Sequence, residues 1–315
     1  MPHLDYDGRS YDRADGESVL DALLRQGVEV SHACKAGACG SCLMQVRPPS
    51  SAPAAAQRGL RESWAAQGYF LACSCQPDGD FAAGPVGEGL RVPAVIHEVE
   101  PLSASVLRVR LTPSAPFDYR AGQYVTVIRQ DGLARSYSLA SLPDDRTLEL
   151  HVRLLPNGRM SQWLAREATA GTPVQLQGPS GGCFYVPGRP EQPLLLAGTG
   201  TGLAPLVGIV RDAIRSGHTG PIHLVHGALT ADGHYLHDEL STMQAGRPGV
   251  DVWQTTLAAD GPLDKALATR LPSLAGYRAF VCGDPGIVQM LTKRIFLGGA
   301  AFTDIHSDAF VPSAS

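Results

Sequence analysis

Three cysteines on one short run, Cys34-Lys-Ala-Gly-Ala-Cys39-Gly-Ser-Cys42, constrain this chain more than any other feature. The spacing C-x4-C-x2-C, with further cysteines later in the chain, is one that holds a [2Fe–2S] cluster. Three thiolates on one loop reach a shared cluster only where the backbone turns sharply and aims its amides at the sulfurs. Gly37 and Gly40, with the small Ala36, Ala38 and Ser41, allow that turn. The fourth thiolate has to come from elsewhere, and Cys73 and Cys75 both stand within range. A zinc site usually uses paired C-x2-C knuckles, which a single x4/x2 triplet fits poorly.

The bulk properties set the frame around that loop. A chain of 315 residues suits two or three domains. An apolar share of 44% with 18% charged residues belongs to a globular chain, and a net charge of −4 argues against a nucleic-acid partner. No run approaches the roughly 18 apolar residues of a membrane span. Met1-Pro2-His3-Leu4-Asp5 has neither a basic nor an apolar leader character, so the expected location is cytoplasmic. In a reducing cytosol seven cysteines read as metal ligands or catalytic thiols before they read as disulfides.

Three compositional blocks follow one another. The first carries five cysteines and a short helix over 19–24 that ends near Gly27, with an exposed Ala/Pro/Ser loop expected over 48–56. Residues 84–89 read as a linker. In the second block short β-like runs at 94–99, 106–111, 124–128, 148–153 and 174–176 alternate with turns, which predicts a small antiparallel barrel. The third opens with a continuous apolar strand over 193–197 and a glycine-rich turn. A helix starting near Pro205 comes next, then buried strands over 222–226 and 279–282, which predicts a parallel α/β sheet.

The first block resembles the plant-type ferredoxins. That resemblance implies a β-grasp fold and makes Cys73, at the end of Tyr69-Phe70-Leu71-Ala72, the fourth ligand beside Cys34, Cys39 and Cys42. The rest resembles the ferredoxin–NADP reductase superfamily, through motifs in the right order. Arg135-Ser136-Tyr137-Ser138-Leu139 matches its flavin element: an arginine for a phosphate, an aromatic for the flavin and a hydroxyl near its reactive edge. His151 and Val152, on the strand that follows, are further candidates. So are Gly158, Met160 and Ser161, which open a helix whose free amides suit a pyrophosphate.

Gly198-Thr199-Gly200-Thr201-Gly202-Leu203-Ala204-Pro205 matches the nicotinamide element, and Cys282-Gly283-Asp284-Pro285 the family's C-G-x-P. Asp308-Ala309-Phe310 resembles the acid–x–aromatic ending in which the aromatic covers the flavin, with Val311 and four more residues beyond it.

The resemblance implies a three-domain reductase component of a bacterial oxygenase: a ferredoxin domain over 1–88, an FAD barrel over 89–188 and an NAD domain over 189–315. Its cofactors would be a [2Fe–2S] cluster, FAD and NADH, with Ser138, Cys282, Asp308 and Phe310 around the reacting rings. After His226 the chain has no Lys or Arg over 227–233, and Asp232 would repel a 2′-phosphate, so NADH is the expected donor. The partner would be a terminal oxygenase or another one-electron acceptor protein, docking near Cys39 and Cys42. Neither nucleic acid nor membrane is expected. A deoxysugar dehydratase as acceptor, a redox sensor without NADH turnover, and a zinc interaction module are the alternatives.

Overall fold

A computed structural model describes residues 2–60, 62–86 and 90–311. In the first unit β1 (His3–Tyr6) and β2 (Arg9–Asp12) form a hairpin, followed by α1 (Val19–Arg25). Ser18 caps α1, its hydroxyl accepting from the Asp21 amide, and Gly27 follows at φ +77°. Then come β3 (Leu43–Val46), α2 (Glu62–Ala66), β4 (Tyr69–Leu71) and β5 (Phe81–Pro85). The strands lie in the order β2-β1-β5-β3-β4, with β1 and β5 parallel and the other pairs antiparallel. Leu20 and Leu23 of α1 meet Leu4, Phe70 and Phe81 in one core, the two phenylalanines edge to face at 5.4 Å.

The second unit is antiparallel throughout: β6 (Arg91–Ser103), β7 (Val106–Pro113), β8 (Tyr124–Ile128), β9 (Ala134–Ser138), β10 (Leu148–Arg153) and β11 (Pro173–Ser180), with α3 (Arg159–Arg166) before the last strand. The order is β10-β7-β6-β11-β8-β9, and a bridge between Leu139 and Leu150 ties the two ends into a barrel. A bulge between Ile96 and Glu98 bends the long β6.

The third unit alternates strand and helix: β12 (Leu194–Thr199), α4 (Leu203–Arg215), β13 (Ile222–Ala228), α5 (His237–Ala245), β14 (Val250–Thr256), α6 (Leu257–Asp260), α7 (Leu263–Arg270), β15 (Arg278–Gly283), α8 (Pro285–Leu297) and β16 (Ile305–Ala309). All pairs are parallel in the order β14-β13-β12-β15-β16. The order reverses at β12, and the strand ends there face the crevice where such sheets bind ligands. Among the described residues no helix is long and apolar enough to cross a membrane.

Local departures from expectation have simple causes. The 48–56 loop is not wholly exposed: residues Ala54–Gln57 form a 3-10 turn that buries Ala56 in the ferredoxin core. Gly84 and Pro85 belong to β5 rather than to a linker, since they pair with Gln45 and Met44. Residues 87–89 of that linker lie outside the described residues, as do 312–315 of the chain ending. A 3-10 turn, Gly200–Gly202, runs straight into α4, so the helix begins at Leu203 and Pro205 sits inside its first turn, where a missing amide costs nothing.

Candidate functional site

The cysteine loop is built so that its amides face its sulfurs. Cys34 Sγ accepts from the amides of Ala36 and Cys39, each at 3.4 Å; Cys39 Sγ accepts from Cys34 N at 3.5 Å, and Cys73 Sγ from Gly37 N at 3.2 Å. Gly37 sits at φ +71°, a backbone conformation that favours glycine, and a Cβ there would lie 2.6 Å from Ser74 Oγ and displace that hydroxyl.

The four thiols come as two pairs. A hydrogen bond from Cys39 draws Cys34 toward the thiolate, and one from Cys42 does the same for Cys73. Cys34 with Cys39 and Cys42 with Cys73 are an arrangement that suits two irons with one pair each. Cys75 is sealed in the core at 0% exposure; burial pushes its thiol up to about 12, with only the charge of Arg13 acting the other way.

A cavity of about 2140 Å³ runs from this loop across the barrel to the parallel sheet. Ordinary ligand pockets are about 300–1,000 Å³, so it has room for two dinucleotides. Ala38 and Cys39 of the loop, Arg135, Tyr137, Ser138, Met160 and Ser161 of the barrel unit, and Gly200, Thr201, Asp308 and Phe310 of the sheet unit all line it. The ferredoxin unit supplies a further stretch of wall, residues 27–32. Gly158 is the residue before α3, as expected of a turn presenting free amides, and the Ser161 hydroxyl donates to its carbonyl. Phe310 is anchored through its amide to the Gly283 carbonyl at 2.8 Å.

Some expected contacts fall elsewhere. The side chains of Leu139 and Val152 point into the barrel core, because strand alternation turns them from the face that carries Ser138 and Arg153. Only their main-chain atoms are left to meet a cofactor. Gly202 and Pro205 stand behind the wall in α4 and the turn before it, and Pro285 is the first residue of α8, with Asp284 capping that helix through Gly286 and Ile287 amides. Cys282 is 1% exposed; its sulfur faces Cys183 Sγ at 3.6 Å, and burial pushes its thiol well up. Its sulfur is turned away from the cleft, and its carbonyl backs the glycine turn so closely that a Cβ on Gly202 would strike it.

Two of the expected polar residues, Asp308 and His151, are held together with others that no motif announces: Glu149, Tyr235, His226 and His234. Asp308, in register with Cys282 on the neighbouring strand, accepts from Ser138 Oγ at 3.4 Å, and burial raises its carboxyl to about 6. His151 is buried, which pushes it toward neutral; its ring bonds Glu149 at 3.0 Å and Tyr235 at 3.1 Å. Burial opposes ionising Glu149, but the His151 bond and the cations Arg108 and Arg211 outweigh it and hold it at about 2. His226, held down to about 3 by burial and then by His234, donates from Nε2 to the Gly200 carbonyl at 3.0 Å.

The two cysteines named for partner docking differ in exposure, Cys39 being half-buried. Cys42 is buried, and the Cys39 carbonyl is bonded by Thr126 and Ser136 of the barrel.

Comparison with known proteins agrees with this division. Residues 3–78 match the 2Fe-2S iron-sulfur cluster binding domain, 93–185 the oxidoreductase FAD-binding domain and 196–293 the oxidoreductase NAD-binding domain. The chain is 34% identical to the ferredoxin–NAD(P)+ reductase component of a naphthalene 1,2-dioxygenase system from Pseudomonas putida, over 94% of each chain. It is 27% identical to a CDP-6-deoxy-L-threo-D-glycero-4-hexulose-3-dehydrase reductase from Yersinia pestis, over 95% of each. Among solved structures, an Amycolatopsis cytochrome P450 reductase superposes with a TM-score of 0.69 at 29% identity, covering 99% of both chains.

Proposed function

The chain belongs to the family of ferredoxin–NAD(P)+ reductase components with 2Fe-2S, FAD-binding and NAD-binding domains, and from that premise we propose that it passes electrons from NADH through FAD and its cluster to a terminal oxygenase component. The observation that carries this reading is one continuous cleft: the cysteine loop, the flavin motif and the nicotinamide turn all line the same cavity. The flavin supplies the exchange between a two-electron hydride donor and one-electron carriers, and the cluster supplies the one-electron outlet.

The chain's own residues provide position and electrostatics. Cys34, Cys39, Cys42 and Cys73 hold the irons. Arg135 offers a guanidinium to a phosphate and the N-terminus of α3 offers free amides to a pyrophosphate. Tyr137 packs on the flavin, while Ser138, bonded to Asp308, sets a hydroxyl and a carboxyl that can hold a proton side by side near the reacting edge. Thr201 and the Gly200–Gly202 turn receive the nicotinamide nucleotide. Phe310, on the cavity wall with its amide held by the Gly283 carbonyl, would cover the flavin face.

Donor preference follows from the cleft rim. Leu229 is 70% exposed there and Asp232 lines the same end, with no cation over 227–233 to meet a 2′-phosphate. NADH is expected to give the higher kcat/KM; parity with NADPH would remove that argument. The decisive experiment is anaerobic stopped-flow mixing with NADH, followed by low-temperature paramagnetic resonance. Flavin bleaching followed by a reduced-cluster signal is expected, and protein lacking labile sulfide or left oxidised by NADH would end the reading. The likeness to a dehydrase reductase favours a second acceptor class. Reconstitution with oxygenase components, and separately with a sugar dehydrase, distinguishes the two by which supports turnover.

A further inference from the structure

Four side chains of the flavin barrel reach across to the cysteine loop and donate to its carbonyls. Tyr124 OH bonds Ala38 O at 2.6 Å, Thr126 Oγ1 and Ser136 Oγ bond Cys39 O at 3.2 and 2.7 Å, and Gln177 Nε2 bonds Gly40 O at 2.9 Å. Each belongs to β8, β9 or β11.

One of these carbonyls shares a peptide group with an amide that faces a cluster thiol. The Ala38 carbonyl is conjugated to the Cys39 N–H, which points at Cys34 Sγ at 3.4 Å. The Gly40 carbonyl accepts from both Gln177 Nε2 and Leu43 N and fixes the end of the same turn. The Cys39 carbonyl is conjugated to the Gly40 N–H, which among the described residues donates to no cysteine sulfur.

We propose that Tyr124 is a positioning residue that tunes the cluster across the domain boundary, by polarising the loop peptide whose N–H faces Cys34. A donor at the oxygen of a peptide makes its N–H a stronger donor, since hydrogen bonds in a chain polarise one another. Hydrogen bonds to sulfur stabilise the more negative, reduced cluster, and such outer partners set the properties of a metal site. Tyr124 therefore favours electron entry into the cluster. Thr126 and Ser136 hold the same loop in place without that effect. The inference rests on the proposed reading that this chain carries the cluster and the flavin together.

The test uses the full holoprotein and a potentiometric titration followed by paramagnetic resonance. The variant Tyr124→Phe is expected to lower the share of electrons on the cluster, relative to flavin, about tenfold, which is about 59 mV for one electron. The flavin's own potential is expected to stay in place. The double variant Thr126→Val with Ser136→Ala breaks the bonds to the Cys39 carbonyl and is expected to leave the cluster midpoint unmoved. An unmoved midpoint in the first variant overturns the inference, as does an equal shift in the second, which would mean that seating alone sets the potential. Wild-type protein whose cluster NADH does not reduce would instead remove the functional reading beneath it.

Discussion

A carboxyl enclosed beside a neutral hydroxyl is costly to ionise, and Asp308 holds that position with Ser138. The unfolded chain releases this proton near the ordinary carboxylate value, about 4. Between there and about 6 the native state binds the extra proton, so this group's stabilisation is complete at the acid end and is lost as pH rises to about 6. Asp308→Asn is expected to flatten the dependence of melting temperature on pH across that window and to raise it at pH 7. Parallel wild-type and variant curves would contradict the shift. The cysteines give a sharper contrast. Cys73→Ser should abolish labile sulfide and the cluster signal, whereas Cys75→Ser should keep both and lose about 1–3 kcal/mol, the cost of a hydroxyl without a partner in an apolar core. Iron and sulfide content with thermal melts reads both.

At the level of elements, the strand–turn–helix from β12 through Gly200–Gly202 to α4 presses against the end of β15. No side chain fits between Gly202 and the Cys282 carbonyl, and a methyl there has to push the turn away from the sheet. Gly202→Ala is expected to raise KM for NADH about tenfold or more, what a loss of about 1.4 kcal/mol in binding produces, while the cluster's visible spectrum stays intact. A normal KM would show that the turn does not carry the nucleotide. The buried His226, bonded to the Gly200 carbonyl from below, explains how a run of glycines keeps one conformation.

The whole molecule is joined by polar contacts as much as by apolar ones. Arg108 of β7 pairs with Glu100, Glu149 and Glu239, and Arg211 of α4 also reaches Glu239, so barrel and parallel sheet share one charge network. Arg108 is 11% exposed and Glu149 is 12%, which takes the centre of this network out of the class of screened surface pairs. Arg108→Ala is expected to cost about 1–3 kcal/mol and to open the barrel–sheet junction to protease, with the ferredoxin unit unaffected. Melting curves and mapped cleavage sites check this; cleavage confined to the ferredoxin unit would count against it. On the other flank, hydrogen bonds to Ala38, Cys39 and Gly40 turn the cluster edge toward the flavin barrel.

What the residues determine alone is local. The x4/x2 spacing, the glycines beside it, the alternation of 124–128 and 148–153, and the apolar runs of β12 and β15 each act over a few neighbours, so cysteine loop, barrel strands and parallel sheet are legible directly. The direction of a side chain on a known strand was less so: Leu139 and Val152 belong to motif runs yet face the core. The seat of the cluster loop was not legible at all. Tyr124, Thr126, Ser136 and Gln177 lie 86 to 137 residues from the carbonyls they bond, and only packing of one unit on the other brings them there. The same holds for Cys282, which turns its sulfur to Cys183, and for the raised carboxyl of Asp308. Burial and partners across domains depend on where the chain returns to itself, which short-range pattern does not encode.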